Sequence, residues 1–214
     1  MTALDAASKD SATEPKAKAA HIWQRDELDW YVDPVRATEQ LLSVEQFVGA
    51  IWDPCCGQGN VLSACLDAGY QVTGTDILRR HKRHWFLGEI NFLTYEGQPF
   101  GQNIICNPPY FRAKGTEQFI RKALSMAKGK VCVFADIRFL AGAKRAGGLF
   151  TDFPPHRIYV ITPRVSCPPG VYLENGGTAS GGSNDYVWLV WDNSTRNKGT
   201  IFDWLTLDRE PADA

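Results

Sequence analysis

Apolar and polar positions along the chain follow two rhythms, and the change from one to the other marks the elements. From Val35 onward Leu41, Leu42, Val44, Phe47 and Val48 recur at roughly helical spacing, which predicts a helix over 35–48 with Thr38, Gln40 and Leu41 in its first turn and Gly49 as its stop. Short apolar runs then take over. Residues 50–53, 70–75, 103–106 and the wholly apolar VCVFA of 131–135 read as strands. Between them, 60–68 and 116–128 keep a helical rhythm. The first is closed by Gly69, and the second is capped by Thr116 and closed by Gly129. Near-continuous apolar strands separated by helices predict an α/β domain whose parallel sheet is covered on both faces. Late in the chain, 157–162 and 185–192 are strand-like, and the Pro- and Gly-rich stretch between them carries no helical pattern. That pair predicts an antiparallel hairpin closing the sheet edge. In YVWLVW, Tyr186, Trp188 and Trp191 read as sheet packing rather than as a platform for stacking bases.

Composition sets the limits. Residues 1–20 are Ala, Ser, Lys, Asp and Thr with no aromatic, too little apolar surface to offset the entropy of ordering, so a mobile tail is expected there. Order is expected from His21, one domain over 21–208, and a second short tail over 209–214. No apolar run approaches the roughly 18–20 residues of a membrane span, and the amino end has no uninterrupted apolar stretch of the secretory kind. A cytoplasmic protein with no membrane contact is the expectation. The six cysteines form no C-x-x-C pair and have no His spaced to complete a metal site, so reduced, buried thiols and no metal are expected. With a net charge of −1, any contact with a polyanion must come from a local basic patch.

Two stretches carry candidate chemistry. The first strand runs into DPCCGQGN, 53–60, at the carboxyl end of a parallel strand, where ligands of such sheets bind. Gly57 and Gly59 let the backbone approach a ligand, and the helix that follows offers free N–H groups. Position 62 is Leu where a dinucleotide fingerprint needs Gly or Ala, and no Gly-Lys-Ser/Thr follows for a phosphate loop. The second strand ends at Asp76, an acid placed to accept from both hydroxyls of a ribose, so the two ends suit an adenosine without phosphates. Taken singly, Asp53 reads equally as a helix cap and Asp76 as a solvated turn residue. The other stretch is Asn107-Pro108-Pro109-Tyr110, after the 103–106 strand. Two prolines hold the turn rigid, the Asn107 side-chain oxygen and the Pro108 carbonyl can converge on one planar NH₂ group, and Tyr110 can stack on the ring that bears it. A plain loop with a Pro pair is the structural alternative.

Asp53-Pro54-x-x-Gly57-x-Gly59, an acid ending the second strand, and Asn107-Pro108-Pro109-Tyr110 together resemble the S-adenosylmethionine-dependent amino-methyltransferases, above all the compact adenine-specific (N6) DNA methyltransferases of phages and mobile elements. The likeness covers about 30–192. It implies a Rossmann-like seven-stranded methyltransferase sheet, mostly parallel with an antiparallel last strand. It also implies S-adenosylmethionine as cofactor, becoming S-adenosylhomocysteine, and no metal. By position, Asp53, Pro54, Cys55, Gly57 and Gly59 would line the methionine part of the cofactor, and Asp76 with Ile77 the ribose. The segment Tyr31-Val32-Asp33-Pro34 with Thr38 would lie against its carboxylate and Asn91-Phe92 against its adenine, with Asn91 standing where the family often has Asp. Asn107 to Tyr110 would hold the target amine, and Asn107 would also touch the cofactor.

The implied partner is DNA, with RNA adenine or protein glutamine as other acceptors for the same transfer and a catalytically silent binding module as a third reading. Residues 79–84 hold four Lys/Arg and two His, read either as a solvated face or as a phosphate-contacting patch of Arg79, Arg80, Lys82 and Arg83. Arg164 joins them at a later strand end, and Phe111 would help Tyr110 hold a base flipped out of a duplex. Only 104 residues follow Tyr110, so no separate recognition domain is expected. Recognition then falls to the loops 141–155 and 163–184.

Overall fold

The computed structural model describes residues 28–111, 114–180, 182 and 184–206. The two expected tails, and the 21–27 stretch where order was expected to begin, lie outside them. Eight strands are found among the described residues: β1 Ile51–Asp53, β2 Val72–Asp76, β3 Phe86–Glu89, β4 Asn103–Cys106, β5 Lys130–Asp136, β6 Arg157–Ile161, β7 Tyr186–Asp192 and β8 Ile201–Leu205. They form one sheet in the order β3-β2-β1-β4-β5-β7-β6-β8. All neighbouring pairs are parallel except those made by β7, which runs antiparallel to both β5 and β6.

Side chains alternate between the two faces with the period of a strand. On one face Ile51, Ile105, Cys132, Phe134, Trp188 and Val190 meet α1 (Val35–Leu42) and α2 (Asn60–Asp67) through Ala37, Leu41, Val61 and Leu62. On the other, Trp52, Ile104, Val133, Leu189 and Trp191 meet α3 (Lys114–Met126) through Phe119, Ile120 and Ala123. The sheet is thus covered on both sides, as its apolar strands require. Buried tryptophans satisfy their N–H groups in ways that lock elements together: Trp188 Nε1 donates to the Ala37 carbonyl of α1 at 2.8 Å, and Trp52 Nε1 to Thr75 Oγ1 of β2 at 3.0 Å.

Several expectations are corrected. The β6–β7 pair is antiparallel, but β7 lies between β5 and β6, so the pair does not close the sheet. The edge on that side is β8, an eighth strand where seven were expected, and this last strand runs parallel to β6, the antiparallel strand being β7. Ile201, Phe202 and Trp204 of β8 are exposed on either face, so this strand carries no alternation to read. The helix expected over 35–48 ends at Leu42, with Ser43 as its cap. The chain leaves it to bury Glu45, which meets Lys130 Nζ at 2.5 Å, Arg157 Nη1 at 3.3 Å and the Tyr159 hydroxyl at 2.9 Å. Thr116 lies inside the first turn of α3 rather than capping it. The 141–155 loop holds α4 (Ala143–Ala146) and α5 (Leu149–Asp152), and 163–184 holds α6 (Gly170–Glu174), where no helix was expected. Pieces of four or five residues are too short to show a helical period.

Candidate active site

The strand order reverses direction at β1, because β2 and β4 lie on its two sides. In open α/β sheets that switch creates a crevice beyond the strand ends. Asp53 closes β1 and is 1% exposed. Its Oδ1 accepts the Cys55 N–H at 3.0 Å and starts the turn. Gly57 and Gly59 follow at φ 49° and 87°, a left-handed path that side chains resist. At Gly59 the need is double, since an added Cβ would stand 2.3 Å from the Trp85 ring. The turn is tied to the next strand end: the Gly57 N–H donates to Asp76 Oδ2 at 2.8 Å, and the Leu78 N–H to Asp76 Oδ1 at 3.2 Å. Each Asp76 oxygen keeps a lone pair for a further donor.

Across the switch, β4 runs into Asn107. Its Nδ2 donates to the Tyr31 carbonyl and to Asp33 Oδ1, both at 3.1 Å, and its Oδ1 accepts from the Tyr110 hydroxyl at 3.1 Å. A carbonyl and a carboxylate can only accept, so the amide has one orientation that suits its neighbours. The 31–33 segment is in turn anchored by Asn60 Nδ2, which donates to the Asp33 carbonyl at 2.7 Å.

These pieces surround one cleft of about 200 Å³. Asp53, Pro54, Cys55, Gly57, Gly59, Asp76 and Ile77 line it from the β1 and β2 ends. Asn91 and Phe92 line its flank, and Tyr31, Asn107, Pro109 and Phe111 face them. Asn91 Oδ1 accepts the Leu93 N–H at 3.1 Å and so caps the short turn that follows β3. The lining is acidic. Asp29, Asp33, Asp53 and Asp76 all contribute, against the single guanidinium of Arg80. Burial raises the Asp53 and Asp76 carboxyls above the usual carboxylate range and pushes Asp33 up to about 6. Burial likewise raises the Cys55 thiol, so it is a neutral lining group rather than a nucleophile. Five of the six cysteines are buried, and all are thiols. Among the described residues no group of His, Cys, Asp and Glu could hold a metal, and no helix is long and apolar enough to cross a membrane.

Other expected site residues stand elsewhere. Pro34 and Thr38 begin α1 outside the cleft lining, and Thr38 is wholly buried. Pro108 is buried behind the turn. Tyr110 does not face the cleft: its ring stacks on Tyr31 at 6.5 Å while its hydroxyl holds Asn107. The aromatic that this turn presents to the cleft is Phe111, 44% exposed at φ 36°, with its N–H held by the Asp29 carboxylate. That reversal after two prolines sends Tyr110 to the back and Phe111 to the front. The basic run also divides. Arg80 turns inward over the Trp30 ring, 3.7 Å from its centroid, while Arg79, Lys82 and Arg83 stay exposed beside the cleft. Arg164 is exposed and paired with Asp185 at 2.7 Å, away from the lining.

No protein-family model matches the chain, and no curated protein matches its sequence. The likeness is in three dimensions. A Listeria monocytogenes protein classed as a class I S-adenosylmethionine-dependent methyltransferase superposes with a TM-score of 0.53 at 12% identity, over 81% of this chain and 64% of that one. This is the Rossmann-like methyltransferase fold. The chain spans just under two thirds of that protein's length, and at such identity the match speaks for the chain path alone. Magnesium protoporphyrin IX methyltransferase of Synechocystis PCC 6803, solved with bound S-adenosylmethionine, gives a TM-score of 0.46 at 14% identity over 73% of this chain and 77% of that one. TrmN of Thermus thermophilus gives 0.42 at 16% identity over 74% and 48%. Scores this low add nothing to the assignment of the methyltransferase fold.

On that fold, several residues shape the cleft without having been singled out from the sequence. Trp30 lies against Gly57 and Gly170 and under Arg80. Trp85 fills the space beside Gly59 and Gly74. Asp33 and Asn60 join the α2 start to the Asn107 turn. The density of aromatic and acidic residues in LDWYVDP was the available signal for Trp30 and Asp33. Asn60 ends the DPCCGQGN stretch read from the sequence, whereas nothing local marks Trp85, whose partners are distant in the chain.

Proposed function

We propose that the chain transfers a methyl group from S-adenosylmethionine to the exocyclic amine of adenine in DNA. The observation that carries the reading is the meeting, in one acidic cleft, of the Asp53–Gly59 turn and Asp76 with an Asn107 amide held in a single orientation. The residues present fit such a cofactor. Asp76 retains acceptor capacity for ribose hydroxyls, and Gly57 and Gly59 leave room for close approach. When bound, the cofactor supplies a methyl group activated by its sulfonium charge.

The chain's own residues would act on the amine. Asn107 Oδ1 has one lone pair engaged by Tyr110 and a second for an amine N–H. That fixed acceptor localises the nitrogen lone pair and stabilises the positive charge that grows as the nitrogen attacks, and the surplus proton leaves to solvent. Pro109 and Phe111 offer an apolar rim to a flipped base. The choice of DNA rests on the exposed cations Arg79, Lys82 and Arg83 beside the cleft and on the resemblance carried by Asn107-Pro108-Pro109-Tyr110.

Calorimetry with S-adenosylmethionine, followed by labelled-methyl transfer to duplex DNA, RNA and protein fractions in parallel, tests the reading. Binding with label in DNA adenine is the expected result. Label confined to RNA or protein overturns the acceptor, and absence of cofactor binding overturns the transfer itself.

A further inference from the structure

We propose that Asp33 is a positioning residue that sets both the direction and the acceptor strength of the Asn107 amide, and so acts on the reacting amine through Asn107. The inference rests on the methyl-transfer reading. The Tyr31 carbonyl satisfies one N–H of the Asn107 side chain, and the second N–H goes to a carboxylate rather than to a neutral acceptor. A charged acceptor draws on that N–H, and amide conjugation passes electron density to Oδ1 on the opposite side. An oxygen made more negative in this way binds an N–H more tightly as the amine that bears it becomes positive.

Two observations set Asp33 apart from a structural tie. It is 6% exposed, and its second oxygen, Oδ2, is buried with no hydrogen-bond partner among the described residues. A role limited to bracing Asn107 calls only for Oδ1, and a neutral side chain would fill it without the cost of a half-satisfied buried carboxylate. Among the described residues no cation hydrogen-bonds to the Asp33 carboxylate. The titratable groups that face Asp33 are Asp53 at the end of β1, Cys106 at the end of β4, Tyr110 in the turn and Cys167 in the 163–169 segment, none of them a cation. Arg36 on the adjoining α1 spends Nη2 on the Pro163 and Arg164 carbonyls. Asn107 is the group that meets the Asp33 carboxylate through a side-chain hydrogen bond.

Burial pushes the Asp33 carboxyl up to about 6, so its charge forms across an accessible pH range. The active form is the ionised one, and the transfer rate rises with pH through that value and levels above it. The test uses the full chain. In two-dimensional ¹⁵N NMR, the Asn107 side-chain NH₂ signals of the wild type move with a midpoint near 6, and in Asp33→Asn they do not. In single-turnover assays Asp33→Asn loses the acid limb and runs about tenfold slower at pH 7.5, the loss of a charge-assisted bond, with cofactor affinity within about threefold. Asp33→Glu, which restores the charge, recovers part of the rate. A wild-type amide that does not titrate, or an acid limb that persists in Asp33→Asn, overturns the proposal. If the wild type transfers no methyl group, the methyl-transfer reading fails, and the NMR titration by itself still decides whether Asp33 governs the Asn107 amide.

Discussion

Replacing Asn107 by Ala removes three hydrogen bonds of 3.1 Å and leaves the Tyr31 carbonyl, the Asp33 carboxylate and the Tyr110 hydroxyl without that partner. At about 1 kcal/mol for each neutral bond and somewhat more for the charged one, the fold loses about 3–4 kcal/mol. For a chain of this size that lowers the melting temperature by roughly 10 °C. The effect on transfer is of a different kind, because the variant also loses the oxygen that would stabilise the amine. Deleting one such preorganised group costs on the order of 10²–10³ in rate. Thermal unfolding with and without S-adenosylmethionine separates the two. Both proteins should be stabilised by a similar increment at saturating cofactor, since Asp53, Gly57 and Asp76 remain in place. Single-turnover transfer is then measured well below the lowered melting point. Transfer within about tenfold of wild type refutes the acceptor role, and an unchanged melting temperature refutes the accounting of the three bonds.

Three other outcomes follow from the geometry. Gly59→Ala forces a side chain into φ 87° and against Trp85, so it should cost about 2–5 kcal/mol in denaturant unfolding and weaken cofactor binding in calorimetry; an unperturbed variant shows that the turn relaxes freely. Asp33, raised from 3.8 to about 6, binds more protons folded than unfolded. Its contribution is complete below about pH 3 and is lost as pH rises through 6, so wild-type stability relative to Asp33→Asn should fall by about 3 kcal/mol between pH 3 and 7 in urea titrations, and a flat difference contradicts it. Glu45→Gln strips the charge that Lys130 and Arg157 share and should cost about 3 kcal/mol, measured by urea unfolding, without changing cofactor affinity.

Residues whose signal is a local period or a local dihedral demand were legible without coordinates. The VCVFA run became β5 and YVWLVW became the buried β7 because a strand covered on both faces is written as a near-continuous apolar run. DPCCGQGN announced a tight turn at the strand end because glycine takes the positive φ found at 57 and 59 more readily than other residues. Asn107-Pro108-Pro109-Tyr110 pointed to a rigid polar turn, but not to which of its neighbours would face the cleft. Tyr110 and Phe111 differ by one residue, and their opposite placements follow from Asp29 holding the Phe111 N–H across 82 positions of chain. The inward turn of Arg80 onto Trp30, the burial of Glu45 that cuts α1 short, the β8 edge and the Asp33–Asn107 bond are likewise settled between distant segments. Periodicity records what each residue needs from its own helix or strand. Which charge is buried, and against whom, depends on desolvation and pairing that exist only once the sheet has brought the partners together.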